Sequence, residues 1–118
     1  MRLVISLLIM LSVSPARALD AGAATFEDYA TCAVYFRMVV GGMRSRGASA
    51  LASIEQEKMD RMIEMAKGKA AAEEDFNAAW RRILADMTDT INRNYQNVSR
   101  LKYRYDDRCE TLLSTSEN

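Results

Sequence analysis

The sequence predicts an all-α protein, a small antiparallel bundle of three or four helices with one disulfide between the first and last helix. Three observations predict this fold. Apolar residues recur at spacings of three and four over most of the chain, without the alternation of a half-buried strand. The only proline is Pro15, so no later ring interrupts a helix. The chain also holds two cysteines, one near each end of its helical part.

Residues 1–18 have the pattern of a cleavable secretory signal peptide. Arg2 supplies the positive start, residues 3–13 form an apolar run, and Ala16-Arg17-Ala18 provides the small residues that a signal peptidase needs. The apolar run is shorter than the ~20 residues of a membrane-spanning helix, so we expect cleavage and no stable membrane anchor. The protein is therefore expected in the periplasm or outside the cell.

The composition of the remaining domain, residues 19–118, argues against several function classes. The full chain has 16 basic and 16 acidic side chains, and cleavage would remove two of the basic ones, which leaves a net charge of about −2. Such a balance does not favour nucleic acid as a partner. The chain has no histidine, which excludes Ser-His and Cys-His nucleophile pairs. We expect a non-enzymatic protein without a cofactor, whose partner is another protein or a second copy of itself.

The helices are placed by their end signals and their apolar faces. The first helix is predicted to begin at Thr25 and to end within Gly41–Ser49, and the second to run from Ala48 to Lys67 with Gly68 as its stop. A third begins near Glu73, and its asparagines at 92, 94 and 97 allow either one bent helix or two shorter ones. The predicted core is Phe26, Tyr29, Phe36, Leu51, Met62, Trp80, Ile83, Met87, Leu101 and Tyr105.

Cys32 and Cys109 both fall on apolar helix faces. In an exported chain a single pair of cysteines predicts a disulfide. It would close a loop of roughly 80 residues and stabilise the fold by about 4 kcal/mol in the chain-entropy view. A redox-active pair is not favoured, because the sequence has no Cys-x-x-Cys motif.

The last segment carries a candidate surface for an anionic partner. On one continuous helix its arginines would fall within about 80° of one another. Guanidinium groups bind phosphate and carboxylate in a bidentate manner. The alternative is a solvated face that Asp107 and Glu110 partly neutralise. The candidate residues are Arg93, Arg100, Arg104 and Arg108, with Tyr103 beside them.

Two other functions stay open. Met59, Met62 and Met65 form a thioether run that would suit Cu(I) in a periplasmic copper-binding protein, although methionine is also a common packing residue in helical cores. The acidic runs Glu73–Asp75 and Asp106–Asp107 would be the site of an enzyme that uses carboxylates alone. Neighbouring helical residues point about 100° apart, so neither run is a preformed carboxylate pair.

Thr31-Cys32 followed by Tyr35 and Phe36, early in a small exported helical chain, is similar to the acid-stress periplasmic chaperones. The resemblance implies a short helical chaperone with a single disulfide. The expected function is therefore that of a non-enzymatic exported binding protein, for instance an inhibitor, an accessory subunit or a stress chaperone.

Overall fold

The computed structural model describes residues 23–116, which form four helices and no strand. The predicted all-α fold is confirmed. Short connections join each helix to the next, and a single 3₁₀ turn, Tyr95–Asn97, precedes the last helix. The helices are α1 (Phe26–Ser45), α2 (Ser49–Lys69), α3 (Glu73–Thr90) and α4 (Ser99–Ser116). No helix within this described part is long and apolar enough to cross a membrane. The predicted signal peptide lies outside the described residues.

Helix α1 begins as the sequence predicts, with a reciprocal cap. The backbone N–H of Asp28 donates to the Thr25 hydroxyl at 3.2 Å, and the Thr25 N–H donates to the Asp28 carboxylate at 2.8 Å. Arg108 of α4 reaches the same carboxylate and donates to it at 2.8 Å. Asp28 therefore joins the first turn of α1 to the last helix.

Helix α1 is the central element, and the other three helices pack around it. Five consecutive residues, from Cys32 to Phe36, are completely buried. A helix that is buried on all sides needs neighbours on all sides. This explains why the apolar face of α1 is so broad in the sequence.

Helix α1 ends within the predicted range, after continuing through Gly41 and Gly42 to Ser45. The turn is made by Gly47, which has a φ of +76°. Its N–H donates to the carbonyl of Arg44, and the N–H of Ala48 donates to the carbonyl of Met43. This pair of bonds closes the helix around a left-handed residue, a conformation that glycine adopts without steric cost.

Helix α2 corrects two predictions. It runs past Gly68 to Lys69, because a glycine in a last turn lowers helix stability only by about 1 kcal/mol and no left-handed residue is needed there. Leu51, predicted as core, is 55% exposed. The face of α2 that lies on α1 is formed instead by Ala52, Met59, Met62 and Ala66.

The rest of the predicted core follows the sequence pattern. Six of the remaining nine residues are buried, namely Tyr29, Phe36, Met62, Ile83, Met87 and Leu101. Phe26, Trp80 and Tyr105 are partly buried and pack against this core from its edge. The apolar periodicity therefore identifies the inward side of each helix, with Leu51 of α2 as the exception.

The alternative left open for the third region is settled in favour of two helices. Helix α3 ends at Thr90, and both Asn92 and Arg93 adopt left-handed conformations, with φ of 53° and 55°. The N–H groups of these two residues donate to the carbonyls of Asp89 and Thr88 at 2.9 Å, which satisfies the last turn of α3.

Two asparagines fix the chain beyond this break. The Asn94 side chain accepts from the N–H of Gln96 and so caps the 3₁₀ turn. The Asn97 amide donates to the carbonyl of Ile91 at 3.0 Å. The asparagines that weaken the helical pattern in the sequence therefore build the turn.

The predicted disulfide between Cys32 of α1 and Cys109 of α4 is confirmed. The two Cα atoms are 5.3 Å apart across a sequence separation of 77, and both cysteines are fully buried. The bond joins the first and last helices close to the Asp28–Arg108 ion pair. The disulfide and the ion pair therefore join α1 and α4 at the same end of the bundle.

We expect Asp28 to make the protein less stable in acid. Burial would raise the pKa of this carboxyl, but hydrogen bonds from Thr25 and the charge of Arg108 outweigh it and lower the pKa. A carboxyl with a lowered folded-state pKa stabilises the fold above its unfolded value of 3.8, and this stabilisation disappears as the pH falls through the folded value. Asp28→Asn should flatten the acid side of a plot of Tm against pH. Asp107→Asn, which removes an exposed carboxylate of α4, should leave the acid side unchanged; an equal effect of both variants would contradict this assignment.

Candidate functional site

Three recesses adjoin at the connection between α3 and α4, and the side chain of Arg93 lines all three. The central recess has a volume of about 200 Å³ and is lined by Met38, Thr88, Ile91, Arg93 and Tyr95. The α3 recess, of about 450 Å³, is lined by Arg81, Leu84, Ala85, Thr88, Asp89 and Arg93. The turn recess, of about 310 Å³, is lined by Ser45, Arg46, Arg93, Asn94, Tyr95 and Gln96. Together they form what we call the Arg93 groove.

The wall of the groove depends on the two glycines inside α1. A β-carbon on Gly41 would lie 2.5 Å from Cζ of Tyr95, and one on Gly42 would lie 3.2 Å from a methyl carbon of Val98. The absence of side chains at these positions allows the 3₁₀ turn to lie directly on the α1 backbone. Tyr95 then stands between the central recess and the turn recess.

The floor of the central recess is apolar and its rim is polar. Met38 is 2% exposed and Ile91 is 1% exposed, so both belong to the core as well as to the recess. Thr88 and Arg93 supply a hydroxyl and a guanidinium group at the edge. Apolar surface with a few polar groups at its border is typical of binding sites in proteins.

The backbone of Arg93 is unusual for its residue type. A left-handed conformation costs an ordinary residue roughly 1–2 kcal/mol, and asparagine tolerates it better than arginine does. Asn92 thus fits its position well and Arg93 does not. Residues in sparsely populated conformations cluster at functional sites, which favours a role for the Arg93 side chain beyond the turn itself.

The charges of the groove are not neutralised by the fold. Some basic side chains elsewhere in the bundle do have carboxylate partners: Arg82 pairs with Glu27 at 2.7 Å, and Lys58 pairs with Glu110 at 2.7 Å. The three groove arginines form no salt bridge within residues 23–116; they are Arg46, Arg81 and Arg93. The carboxylate that lines the groove is that of Asp89. Three guanidinium groups against one carboxylate give the groove a net positive charge.

The structure separates Arg93 from the arginines with which the sequence groups it, whereas Arg100, Arg104 and Arg108 stay four residues apart on one helix, α4. Arg93 lies in the groove, whereas Arg108 is held by Asp28. Arg104 lies over the Tyr105 ring at 5.7 Å, and the guanidinium of Arg100 donates to the Thr90 carbonyl at 3.3 Å. Arg93 could join that ridge only on one continuous helix, and the left-handed turn at residues 92–93 interrupts the helix before α4.

Tyr103 points away from the bundle and is 96% exposed. It shares the outer side of α4 with Arg100 and Arg104, which are exposed as well. Leu51 and Ile54 on α2 are the other large apolar side chains exposed within the described residues. These three apolar side chains contribute to the surface but not to the lining of the groove.

A second polar cluster joins α1, α2 and α4. The Tyr35 hydroxyl donates to Asp106 at 2.6 Å, and Lys58 contacts both Glu55 and Glu110. Burial and the hydrogen bond to Asp106 raise the pKa of Tyr35 far above its usual range. Burial alone would lower the pKa of Lys58, but the bonds to Glu110 and Glu55 outweigh it and raise the pKa. Each charge here has a partner, so the cluster links helices.

The residues of the two alternative functions lie elsewhere. Met59 and Met62 are buried in the core, and Met65 is partly buried against it, which is the placement that packing requires. Glu73, Glu74 and Asp75 are exposed in the first turn of α3. Within residues 23–116 no group of three or more His, Cys, Asp and Glu side chains could hold a metal ion.

Sequence reasoning missed Arg46 and Arg81 as site residues. Arg46 follows α1 directly in the turn that Gly47 closes, and Arg81 lies in the middle of α3. Their approach to Arg93 depends on how α3 packs against α1, which no local pattern encodes. Neither residue carries a signal in the sequence that distinguishes it from other exposed arginines.

We expect Gly41→Ala to alter the groove more than the stability. The added methyl group must displace the Tyr95 ring, while alanine gains roughly 0.5–1 kcal/mol of helix stability over glycine. The free energy of unfolding should therefore change by less than about 1 kcal/mol, and the ring resonances of Tyr95 should shift in an NMR spectrum. Gly68→Ala is the matched control, because a β-carbon there has no neighbour within 4 Å. Unchanged Tyr95 resonances in Gly41→Ala would contradict the packing described here.

The arrangement of the groove can bind an anion and hold an apolar group next to it. It brings together guanidinium groups, hydroxyl groups and an apolar floor. Comparison with protein-family profiles, with curated proteins and with solved structures found no match for this chain.

Proposed function

We propose that this chain is a non-enzymatic exported protein that binds an anionic partner through the Arg93 groove. The observation that carries the proposal is the convergence of Arg46, Arg81 and Arg93 on one groove without a salt bridge to any of them within residues 23–116. Guanidinium groups without partners are available for a carboxylate or phosphate of another molecule.

Export to the periplasm or the cell exterior is part of the proposal. The buried disulfide supports it, because such bonds persist in oxidising compartments. The signal-like pattern of residues 1–18 supports it as well. In that setting the partner is a protein, a peptide or a small anion of the cell envelope.

The direct test is the binding of fluorescein-labelled polyglutamate to the oxidised protein, followed by fluorescence anisotropy. We expect saturable binding that weakens as the ionic strength rises from about 0.01 M to about 0.15 M, because the Debye length shortens from about 30 Å to about 8 Å. Arg46→Gln combined with Arg81→Gln should weaken the binding about tenfold or more, since each charged hydrogen bond contributes about 1.5–3 kcal/mol.

Arg104→Gln is the matched control, because it removes one guanidinium from the outer side of α4 and leaves the groove intact. This variant should retain the affinity of the parent protein. Absence of salt-dependent binding, or an equal loss in Arg104→Gln, would overturn the proposed function.

A further inference from the structure

We infer that the partner presents an extended acidic peptide with one apolar side chain between its carboxylates, and that this side chain enters the central recess. The inference rests on the proposed function and names the partner class for the same groove. It follows from the order of the recesses, from their sizes and from the position of the charges.

The central recess adjoins each of the other two recesses. The central recess shares Thr88 and Arg93 with the α3 recess, and it shares Arg93 and Tyr95 with the turn recess. The outer two have only Arg93 in common. A ligand that fills the groove must therefore extend from the side of α3, past Arg93, to the end of α1.

Charge is present on both sides of the apolar floor. Arg81 lies at the α3 end, Arg46 at the turn end, and Arg93 between them. A fatty acid or another single-chain amphiphile carries its charge at one end only, so it would leave one end of this groove unpaired. A chain with carboxylates before and after an apolar group matches all three arginines.

The central recess has the size of a side chain. Its volume of about 200 Å³ is below the 300–1,000 Å³ of most small-molecule sites. The turn recess is lined by the side-chain amides of Asn94 and Gln96, which can donate to the carbonyls of a peptide backbone; the Asn94 side-chain oxygen itself is used by the Gln96 N–H. Side chains that fill a pocket near the centre of an interface usually carry most of the binding energy.

The experiment compares labelled peptides with glutamates on both sides of a central residue. With leucine at the centre we expect binding about tenfold tighter than with glycine, because the recess removes the leucine side chain from water. Thr88→Met should abolish this preference by filling the recess, and the isosteric Thr88→Val should retain it. The readout is the ratio of the two affinities within each variant, so that a general loss of binding in a Thr88 variant cancels.

Other outcomes would overturn the inference. Equal affinity for the leucine and glycine peptides, or an undiminished preference in Thr88→Met, would show that the recess takes no anchor and would leave the proposed function standing. Leucine moved to one end of the peptide should lose the advantage; if it does not, the two-sided arrangement is wrong. If dodecanoate displaces the labelled leucine peptide at a lower concentration than the unlabelled leucine peptide does, the recess binds an amphiphile instead. Failure of every acidic peptide to bind would remove the proposed function as well.

Discussion

Replacing both Cys32 and Cys109 by alanine should lower the free energy of unfolding by about 4 kcal/mol and the Tm by about 20 °C. The bond connects residues 77 apart in sequence, so its loss frees most of the described chain in the unfolded state. Small domains have a total stability of about 5–15 kcal/mol, and the loss is a large part of it. Thermal unfolding followed by circular dichroism measures the effect.

Reduction of the parent protein measures the contribution of the cross-link to stability separately from the contribution of packing. A reduced chain keeps both sulfur atoms in the buried site, so it loses the cross-link without the cavity that alanine leaves. We expect most of the loss in Tm already on reduction and a smaller further loss in the double variant. A reduced protein with the Tm of the oxidised one would contradict a structural role for the bond.

Arg93→Gly should abolish most of the affinity for acidic peptides while the stability hardly changes. Removal of the guanidinium takes away charged hydrogen bonds that contribute about 1.5–3 kcal/mol, so binding should weaken about 10- to 100-fold. Glycine at this left-handed position relieves the backbone cost that arginine has there, although it adds entropy to the unfolded chain. The free energy of unfolding should stay within about 1 kcal/mol of the parent value.

Asn92→Gly provides the matched control, because it places glycine at the neighbouring left-handed residue and keeps Arg93. We expect a similar stability and an unchanged affinity. Arg93→Lys keeps the charge without the planar fork, so its affinity should lie between that of the parent protein and that of Arg93→Gly. Full affinity in Arg93→Gly would show that the groove is not the site.

The helices could be predicted from the sequence because their signals are local. The cap at Thr25 and the acidic first turn of α3 act within a few residues. The role of the two glycines in α1, in contrast, depends on residues that are distant in the sequence. Gly41 and Gly42 look like the end of a helix, yet they serve the approach of Tyr95 and Val98 from more than fifty residues away in the sequence. Such a contact cannot be deduced from periodicity.

The sequence predicted only part of the candidate site, because the rest depends on contacts between residues that are distant in the sequence. The sequence pointed to Arg93 but grouped it with Arg100, Arg104 and Arg108 on one continuous helix. Two consecutive left-handed residues interrupt that helix and turn Arg93 toward α3 and the end of α1. The prediction that Leu51 lies in the core was wrong for a related reason. The side of α2 that is buried depends on how α2 packs against α1.

The most direct test of the Arg93 groove is the mapping of amide chemical shifts in the ¹⁵N-labelled oxidised protein during titration with the leucine-centred acidic peptide. The shifts should concentrate at Thr88–Gln96, at Arg81 and at the end of α1 from Gly41 to Arg46. Shifts confined to the outer side of α4, around Arg100, Tyr103 and Arg104, would contradict the groove and place binding on the arginine surface of α4.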